Sequence, residues 1–495
     1  MSFGAELGKK SALSLAGGVL GQALSALHLV FAGRFLGSAT YGDVLYLTAV
    51  LSFCSIFAKF GLENALIAFL ARDNLSLVRK RSIVGFALLF SFAIATVFCF
   101  CGYAYSEVVL RYILKDVRYA SLLSWMLPFL VLDTLRTLLP EALRGLRKVG
   151  EATLAGTVLV PLVKLLGMLV LVFGFGVRDY FALVLPAYLA ALLSILYSLR
   201  ILWNAELLGG VARGFGAREV LLFALPGLLT SVVGVVASTV DRYMIGYMIG
   251  PSQTAVYAAA VQLGAVSSLA LSAVNSIFAP LIAHLYHRRA FEELRRIYVQ
   301  ATKWITAANF FVLGLVLLFA GELMGIAGPE FVAGGRALVW VCLGQMVNSA
   351  VGSVGYINTM TGHPSYGMYV SFFTTGLNVG LNWLFIPHWG IEGAAVATMV
   401  SLALWNLLSF ALLYRNLRMH PYDKRYIGIL AAFSLAGGLA YTLLGAFGAL
   451  ADWGRLLRGV AIYSAVYAAV FWRGGLKLQE RAAVCNVLRN VLARL

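Results

Sequence analysis

The sequence predicts an all-α protein that crosses a membrane about fourteen times. Three observations lead to this prediction: 61% of the 495 residues are hydrophobic, 12% are charged, and the mean hydropathy is +0.87. A soluble domain is about 45–50% apolar and about 25% charged, so this chain lacks the polar residues that a water-exposed surface requires. Lipid must solvate most of it, which excludes a disordered chain, a nucleic-acid-binding protein and a secreted disulfide scaffold.

Each predicted span is an apolar run of roughly 20 residues, because a helix in the hydrocarbon core must satisfy its own backbone hydrogen bonds. Charged or turn-forming residues separate the runs. They lie near residues 11–36, 43–70, 82–105, 119–140, 153–176, 180–203, 218–249, 254–284, 302–325, 335–359, 366–386, 391–414, 426–449 and 455–472.

Lysine and arginine are distributed unevenly between the two sides of the predicted membrane. If the amino terminus is cytoplasmic, the cytoplasmic loops and tail hold 26 of them and the opposite loops hold 8. Cytoplasmic loops of multi-pass proteins carry such an excess. We therefore expect a protein of the inner (cytoplasmic) membrane with both termini in the cytoplasm. The net charge of +17 then belongs to its loops and does not indicate a nucleic-acid partner.

The chain contains an internal repeat, which two pairs of glycines reveal. Similar turn motifs follow the first and seventh spans, and their glycines are Gly37 and Gly250. Gly150 and Gly362, which precede spans five and eleven, are separated by the same offset to within one position. Both offsets correspond to six spans, and an even number preserves orientation, so spans 1–6 and 7–12 are predicted to be parallel copies.

The repeat predicts four parts of the chain. Residues 1–210 form an N-lobe of six spans, 211–420 a C-lobe of six spans, 421–475 two further spans, and 476–495 a cytoplasmic amphipathic tail. Transporters built from two such lobes bind their substrates in the cleft between them.

Seven charged residues lie well inside the predicted spans, away from the terminal residues of each span, where each costs about 2.5–3.5 kcal/mol unless it finds a partner or a water-filled cavity. Lys59 and Glu63 are four residues apart in span two, so they can pair on one helix face. Asp133 and Arg136, three apart in span four, can do the same. Lys164 lies deep in span five without a nearby carboxylate, which favours a cavity over snorkelling to the interface.

Other intramembrane polar residues leave two interpretations open. Asp241 and Arg242 in span seven cannot share a helix face, and Arg242 is close enough to the span end to snorkel. His28, which occupies in the first copy the repeat position of Asp241, is either a hydrogen-bonded packing residue or a proton relay. Asn378 and Asn382 share a face of span eleven and either join helices or line the cleft.

Enzyme motifs are missing from the sequence. It has no nucleotide-binding glycine loop, nucleophile elbow or metal-binding histidine cluster, and no long exterior loop for glycosyl-transfer chemistry. We therefore expect a membrane transporter and not an enzyme, without a metal or a cofactor. A proton or sodium gradient is left open as its source of energy.

Three stretches of the chain carry a family resemblance: residues 33–42 together with 60–65, residues 241–246, and residues 361–398. In these stretches the chain resembles polysaccharide (O-antigen type) flippases of the multidrug/oligosaccharidyl-lipid/polysaccharide (MOP) exporter superfamily. The two spans after the repeat are similar to those of its fourteen-helix members, which include lipid II flippases.

The resemblance implies a MATE-like fold of two parallel six-helix repeats and a defined cargo. It implies that an oligosaccharide linked to polyprenyl (undecaprenyl) pyrophosphate moves from the cytoplasmic to the periplasmic leaflet by alternating access, for polysaccharide or O-antigen assembly. The expected partners are this lipid-linked oligosaccharide and membrane lipids, and a polysaccharide polymerase or assembly complex is left open. The candidate substrate-binding residues are Lys59, Arg136, Lys164, Arg242, Asn378 and Asn382, and the candidates for ion coupling are Glu63, Asp133, Asp241 and His28.

Other functions remain open at this point. A cation-coupled multidrug exporter of the same superfamily transports cationic drugs, which would prefer a cleft with carboxylates and without cations. The unpaired Lys164 argues against this function. A lipid II flippase is a further alternative, although the arginine pattern of its first span is not evident here. A membrane polymerase or ligase would need a large exterior loop, and a scaffold of an envelope-assembly complex would have no use for a repeat with a polar cleft.

Overall fold

The computed structural model describes residues 3–212, 215–424, 426–446, 452–476 and 480–482. Within these ranges the chain is helical and has no strand. Its α-helices are α1 (Phe3–Lys59), α2 (Leu62–Leu70), α3 (Leu77–Ala104), α4 (Ser106–Val108), α5 (Ala120–Gly145), α6 (Val149–Thr153), α7 (Leu159–Leu169), α8 (Phe181–Asn204), α9 (Ala217–Met248), α10 (Pro251–Gly264), α11 (Leu269–His287), α12 (Phe291–Gly325), α13 (Gly335–Val351), α14 (Val354–Met360), α15 (Pro364–Leu417), α16 (Tyr426–Ala446) and α17 (Asp452–Gly474).

Short segments of other helix types connect several of these elements. Three π-helical turns and three 3₁₀ turns occur in the described ranges: Val109–Ile113, Leu154–Val158 and Val170–Gly174 are π-helical, and Val117–Tyr119, Ala265–Ser268 and Pro329–Gly334 are 3₁₀. The second π turn joins α6 to α7, so the predicted fifth span is one continuous helix. Most of the predicted amphipathic tail, residues 477–479 and 483–495, lies outside the described residues.

Eleven helical stretches of the described chain are long and apolar enough to cross a membrane. Two of them, in α1 and α15, are broken by a glycine with positive φ, Gly37 with φ 81° and Gly390 with φ 56°. These breaks lie where the sequence separates span one from span two and span eleven from span twelve. The helix α17 matches the predicted fourteenth span but is not among the eleven. The all-helical, multi-pass class is confirmed, and the number fourteen stays a prediction.

Residues with positive φ recur along the backbone at the offset of the predicted repeat. A left-handed residue marks a turn or a helix break, so matching positions mean matching turns. The matching positions given below mean that the predicted N-lobe and the predicted C-lobe make the same turns in the same order. This order supports two copies of a six-span repeat. Five such pairs share this offset closely: Gly37 and Gly250, Lys115 and Gly328, Arg147 and Gly362, Gly176 and Gly390, and Glu206 and Arg418.

The chain forms two compact units that do not follow the lobes of the repeat. The first unit comprises the described parts of residues 1–263, 325–337 and 371–401, and the second those of 264–324, 338–370 and 402–495. The first unit extends past residue 210 because α9 packs closely against α1 and the start of α2. The division into lobes at residues 210 and 420 therefore remains a prediction about the repeat.

Two buried apolar clusters stabilise the first unit. One joins α2, α3, α5, α8 and α9 around side chains such as Leu62, Phe69 and Leu139. The other joins α1 to α5 and α8 through Tyr46, Leu127 and neighbouring residues. Together they fix α5 and α8 against α1, and α1 and α5 carry several of the polar residues of the candidate site.

The second unit has its own buried clusters. One is formed by α11, α12, α14 and the end of α15, and it includes Ile282, Tyr298 and Ile357. The other joins α16 and α17 to α12 around Ala436 and Tyr463. Within this unit the side chain of Lys303 is only 2% exposed, and its ammonium lies 2.5 Å from a carboxylate oxygen of Glu480.

Two glycines on α1, Gly17 and Gly21, permit a close approach to the fifth span. Their four-residue spacing is typical of close helix packing in membranes, and the structure identifies the partner helix. A Cβ atom on Gly17 would lie 2.5 Å from Cγ2 of Thr153, and one on Gly21 would lie 2.2 Å from the carbonyl oxygen of Thr157. Both distances are far below van der Waals contact, and at Gly21 the neighbour is backbone, so only glycine fits there without a shift of the helices.

We expect Gly21→Ala to destabilise the protein by about 1–3 kcal/mol, the usual cost of inserting a methyl group into a close-packed interface. Gly18→Ala is the matched control, because a Cβ atom on Gly18 has no neighbour within 4 Å. The measurement is the midpoint of thermal unfolding of the purified protein in detergent. Equal midpoints for the two variants would contradict the close contact of α1 with the fifth span.

Candidate functional site

A cavity of about 440 Å³ lies within the first unit. Residues of α1, α5, α7, α8, α9 and α10 form its walls. The structure brings five of the predicted site residues into this lining, namely His28, Lys59, Asp133, Arg136 and Lys164. Three of the five are cations and one is a carboxylate, so with a neutral histidine the wall has an excess of positive charge.

Asp133 and Arg136 form the salt bridge that their spacing in the sequence predicts. Nη2 of Arg136 lies 2.5 Å from Oδ1 of Asp133, and Nε lies 3.0 Å from the same oxygen. The two side chains are 17% (arginine) and 27% (aspartate) exposed. The pair adds no net charge, but a guanidinium has five N–H donors, so Arg136 retains donors for a ligand.

The predicted pairing of Lys59 with Glu63 is wrong. The helix α1 ends at Lys59, and the next two residues, Phe60 and Gly61, have φ values of 52° and 73°. The helical register that would place residues four apart on one face is therefore lost. Oε1 of Glu63 instead accepts a hydrogen bond of 2.7 Å from the hydroxyl of Ser231, and Oε2 is buried without a partner in the described chain.

Lys59 and Lys164 are the two cations of the lining without an acidic partner. Among the residues that the structure describes, neither makes an ion pair, and both are partly buried. His28 lines the same cavity, and its Nε2 is buried without a hydrogen-bond partner in the described ranges. Two ammonium groups facing one cavity repel each other, and an anion between them relieves that repulsion.

Asp241 lies outside this lining, in a separate polar cluster of the first unit. It is 8% exposed, and its Oδ1 accepts a hydrogen bond of 2.6 Å from Nδ2 of Asn382. Its Oδ2 accepts hydrogen bonds from the hydroxyls of Tyr257 at 2.7 Å and Thr398 at 2.8 Å. Nδ2 of Asn382 also bonds to Oδ1 of Asn378 at 3.0 Å. These donors stabilise a carboxylate that is otherwise costly to bury.

The structure does not bring Arg242, Asn378 or Asn382 into the lining of the cationic cavity. The two asparagines lie on one face of α15, as their spacing predicts. On that face Asn382 donates a hydrogen bond to Asp241 of α9, so the pair belongs to the carboxylate cluster and not to the cavity. Tyr257 and Thr398, which complete the cluster, were not expected from the sequence. They are 16 and 157 residues from Asp241, and no local spacing relates them to it.

The cavity also has a set of hydroxyl groups that was not expected. Thr48, Ser52 and Ser55 precede Lys59 by eleven, seven and four residues, which places all four on one stripe of α1. This helical spacing was a signal available in the sequence. The serine and threonine side chains of the lining are Ser25, Thr48, Ser52, Ser55, Thr137, Ser238 and Thr239.

Comparison with known proteins identifies the family. The family profile described as polysaccharide biosynthesis protein matches residues 7–286, more than half of the chain. The chain belongs to the polysaccharide biosynthesis protein family. The resemblance read from its motifs to the MOP superfamily is thereby confirmed. A second profile, described as MatE, matches residues 226–384 of this family member.

Two curated relatives come from Haloferax volcanii. The probable low-salt glycan biosynthesis flippase Agl15 is 25% identical over 196 residues, which cover 39% of this chain and 41% of the relative. The probable flippase AglR is 26% identical over 219 residues, which cover 42% of this chain and 43% of the relative. The matched region thus spans less than half the length of each curated relative.

A solved structure of lipid II flippase MurJ, in an inward closed conformation, has a similar fold. Its TM-score is 0.70 at 13% sequence identity, and the match covers 93% of this polysaccharide biosynthesis protein and 98% of the other chain. At this identity the likeness concerns the fold alone. It agrees with the predicted MOP architecture.

Replacing Asn382 tests how the Asp241 cluster is stabilised. We expect Asn382→Leu to lower the free energy of unfolding by about 1–3 kcal/mol, because it leaves a buried carboxylate oxygen without its amide donor. Asn406→Leu is the control, since the buried amide of Asn406 bonds to the carbonyl of Leu402 in its own helix and to no charged group of the described residues. If the control is destabilised as much as Asn382→Leu, the bond to Asp241 contributes no more to the free energy of unfolding than an ordinary buried amide bond.

Proposed function

We propose that this protein is a flippase for an oligosaccharide linked to a polyprenyl diphosphate. It moves the head group from the cytoplasmic to the extracytoplasmic leaflet of the cytoplasmic membrane by alternating access, for the assembly of a polysaccharide such as an O-antigen. The observation that carries this proposal is the excess of positive charge in the wall of a cavity among apolar helices. The family and the names of the two curated relatives support it.

The charge of the lining fits a diphosphate. Lys59 and Lys164 together supply two positive charges, and neither forms an ion pair with an acidic side chain of the described chain. A polyprenyl diphosphate ester carries two or more negative charges, and in a cavity of low dielectric such attraction is much stronger than in water. Arg136 adds planar N–H donors, which bind phosphate oxygens in pairs.

The rest of the cargo is compatible with the same site. The polyprenyl tail can remain in the bilayer while only the head group enters, so the cavity needs to hold the polar part alone. Hydroxyl and amide groups of the lining, among them Ser52, Thr239 and Gln262, face that part. A polymerase or assembly complex that receives the oligosaccharide remains a further proposed partner.

A multidrug exporter is the second candidate, because the MatE profile matches residues 226–384. Its typical cargo is cationic and lipophilic, and it would meet the unpaired ammonium groups of Lys59 and Lys164. The repulsion between like charges makes this candidate the weaker one.

We also propose Asp241 as the site where a cation couples to transport. Its carboxylate contacts the hydroxyl oxygens of Tyr257 and Thr398, and Oδ1 of Asn378 bonds to the same amide of Asn382. Such oxygen atoms are ligands that hard cations such as sodium prefer. Oδ1 of Asn382 is buried without a partner in the described chain, and a bound cation would give it one. His28, Glu63 and Asp133 are the alternative coupling residues.

Lys164→Ala should lower the translocation of a fluorescent undecaprenyl-diphosphate oligosaccharide in reconstituted vesicles by about tenfold or more, because a charge-assisted bond to phosphate contributes about 1.5–3 kcal/mol. Arg200→Ala is the control, since Arg200 is exposed at the end of α8 and does not line the cavity. Equal expression and equal unfolding midpoints would show that both variants fold. Transport by Lys164→Ala at the wild-type rate would contradict the proposed role of the cavity.

Sodium should stabilise the wild-type protein if it binds at Asp241, because a ligand that binds only the folded state raises its unfolding free energy. The measurement compares unfolding midpoints in sodium chloride and choline chloride at one ionic strength. We expect a rise of a few degrees for the wild type and none for Asp241→Asn. A midpoint that does not respond to sodium in the wild type would exclude sodium and leave the proton as the coupling ion.

A further inference from the structure

The serine and threonine hydroxyls of the cationic cavity share one hydrogen-bonding state. All seven donate their single proton to another group of the protein. On α1, Thr48 donates to the carbonyl oxygen of Val44 at 2.7 Å, and Ser52 donates to that of Thr48 at 2.7 Å. On α9, Thr239 donates to the carbonyl oxygen of Val235 at 2.6 Å.

Ser55 completes the pattern through another hydroxyl. Its Oγ lies 3.3 Å from Oγ1 of Thr134, which itself donates to the carbonyl oxygen of Leu130 at 2.8 Å. A hydroxyl has one proton, so Thr134 has none left and Ser55 must be the donor of this bond. Ser25, Thr137 and Ser238 donate to backbone carbonyls of their own helices.

These bonds leave the hydroxyls with lone pairs and no proton to offer to a ligand. Back-bonding of serine and threonine to a carbonyl one turn earlier is common in helices, and it satisfies the hydroxyl without a ligand. A ligand in the cavity therefore meets these groups as hydrogen-bond acceptors. Donors come instead from the cations Lys59, Arg136 and Lys164, together with the side chains of Tyr41 and Gln262.

The acceptors form a continuous stripe on one helix. Thr48, Ser52, Ser55 and Lys59 follow one another at helical spacings, and the stripe is about 16 Å long at a rise of 1.5 Å per residue. Its cationic end matches phosphate oxygens, which are acceptors without protons. Its hydroxyl end matches a group that brings O–H or N–H donors.

We infer that the hydroxyl stripe Thr48, Ser52 and Ser55 is the part of the cavity that recognises sugar, by accepting hydrogen bonds from the sugar's hydroxyl and amide groups. This inference rests on the proposed function and adds a specificity to it. Lys59 and Lys164 bind the diphosphate that every such lipid carries. The stripe distinguishes a glycosylated polyprenyl diphosphate from the bare one, which has no donors to offer beyond its phosphate.

The test compares two probes on full-length protein in nanodiscs: undecaprenyl diphosphate, and undecaprenyl diphosphate that carries one N-acetylglucosamine. Dissociation constants are measured for the wild type, Thr48→Val, Ser52→Ala and the double variant. We expect each substitution to weaken binding of the glycosylated probe about threefold to tenfold, as is usual for one lost hydrogen bond. Binding of the bare diphosphate should remain unchanged.

Two further variants separate recognition from folding. Thr96→Val removes a threonine hydroxyl that also donates to the carbonyl one turn earlier, but Thr96 is exposed on α3 and outside the cavity, so both affinities should stay at wild-type values. Thr48→Ser retains the hydroxyl acceptor, so it should bind the glycosylated probe with the wild-type affinity, unlike Thr48→Val. Equal unfolding midpoints for Thr48→Val and Thr96→Val would show that the loss of the hydroxyl does not disturb the fold.

The outcomes distinguish this inference from the proposed function. If wild type binds both probes and the variants weaken both equally, or weaken neither, the hydroxyl stripe does not recognise sugar and the diphosphate site stands. If wild type binds neither probe, the proposed function and the inference are both rejected. Selective weakening of the glycosylated probe supports the inference.

Discussion

The first unit of this structure depends on how it accommodates positive charge among apolar helices. An ammonium group inside the hydrocarbon region needs an acid, a ligand or water, because the charge is otherwise too costly to bury. Lys59 and Lys164 form no ion pair with an acid among the described residues, and both line the same cavity. The cavity thus provides these two ammonium groups with space for water or a ligand in place of a carboxylate partner. An anionic ligand fits such a site.

A break in the backbone directly after Lys59 prevents this lysine from pairing with Glu63. The left-handed Phe60 and Gly61 end α1 directly after Lys59 and turn Glu63 toward Ser231. Gly61 is required there for a second reason, since a Cβ atom would lie 2.4 Å from the carbonyl oxygen of Ala224 on α9. A continuous helix would have placed Glu63 one turn below Lys59 and neutralised it. The same break therefore packs α2 against α9 and preserves the positive wall.

One helix links the two polar sites of the first unit. Ser238 and Thr239 of α9 line the cationic cavity, and Asp241, two residues further on, belongs to the carboxylate cluster. A helix is rigid over this distance, so a change in the hydrogen bonds at Asp241 that moves α9 also moves the cavity wall. The proposed coupling between a cation at Asp241 and an anion at Lys59 and Lys164 would need only this short stretch of α9.

The sequence by itself determined the all-helical membrane class, the repeat, the family and the residues that are costly to bury. These properties follow from composition, from the offset between glycines, and from the rule that a charged residue inside a span must face a partner or a water-filled cavity. The pairing of Asp133 with Arg136 was also predictable, because residues three apart are neighbours on any helix. Only the tertiary structure separated Lys59 from Glu63, gave Asp241 its partners Tyr257 and Thr398, and divided the polar residues between a cavity and a closed cluster. Those outcomes depend on contacts between residues distant in the chain and on two left-handed residues, and periodicity within one helix contains no information about either.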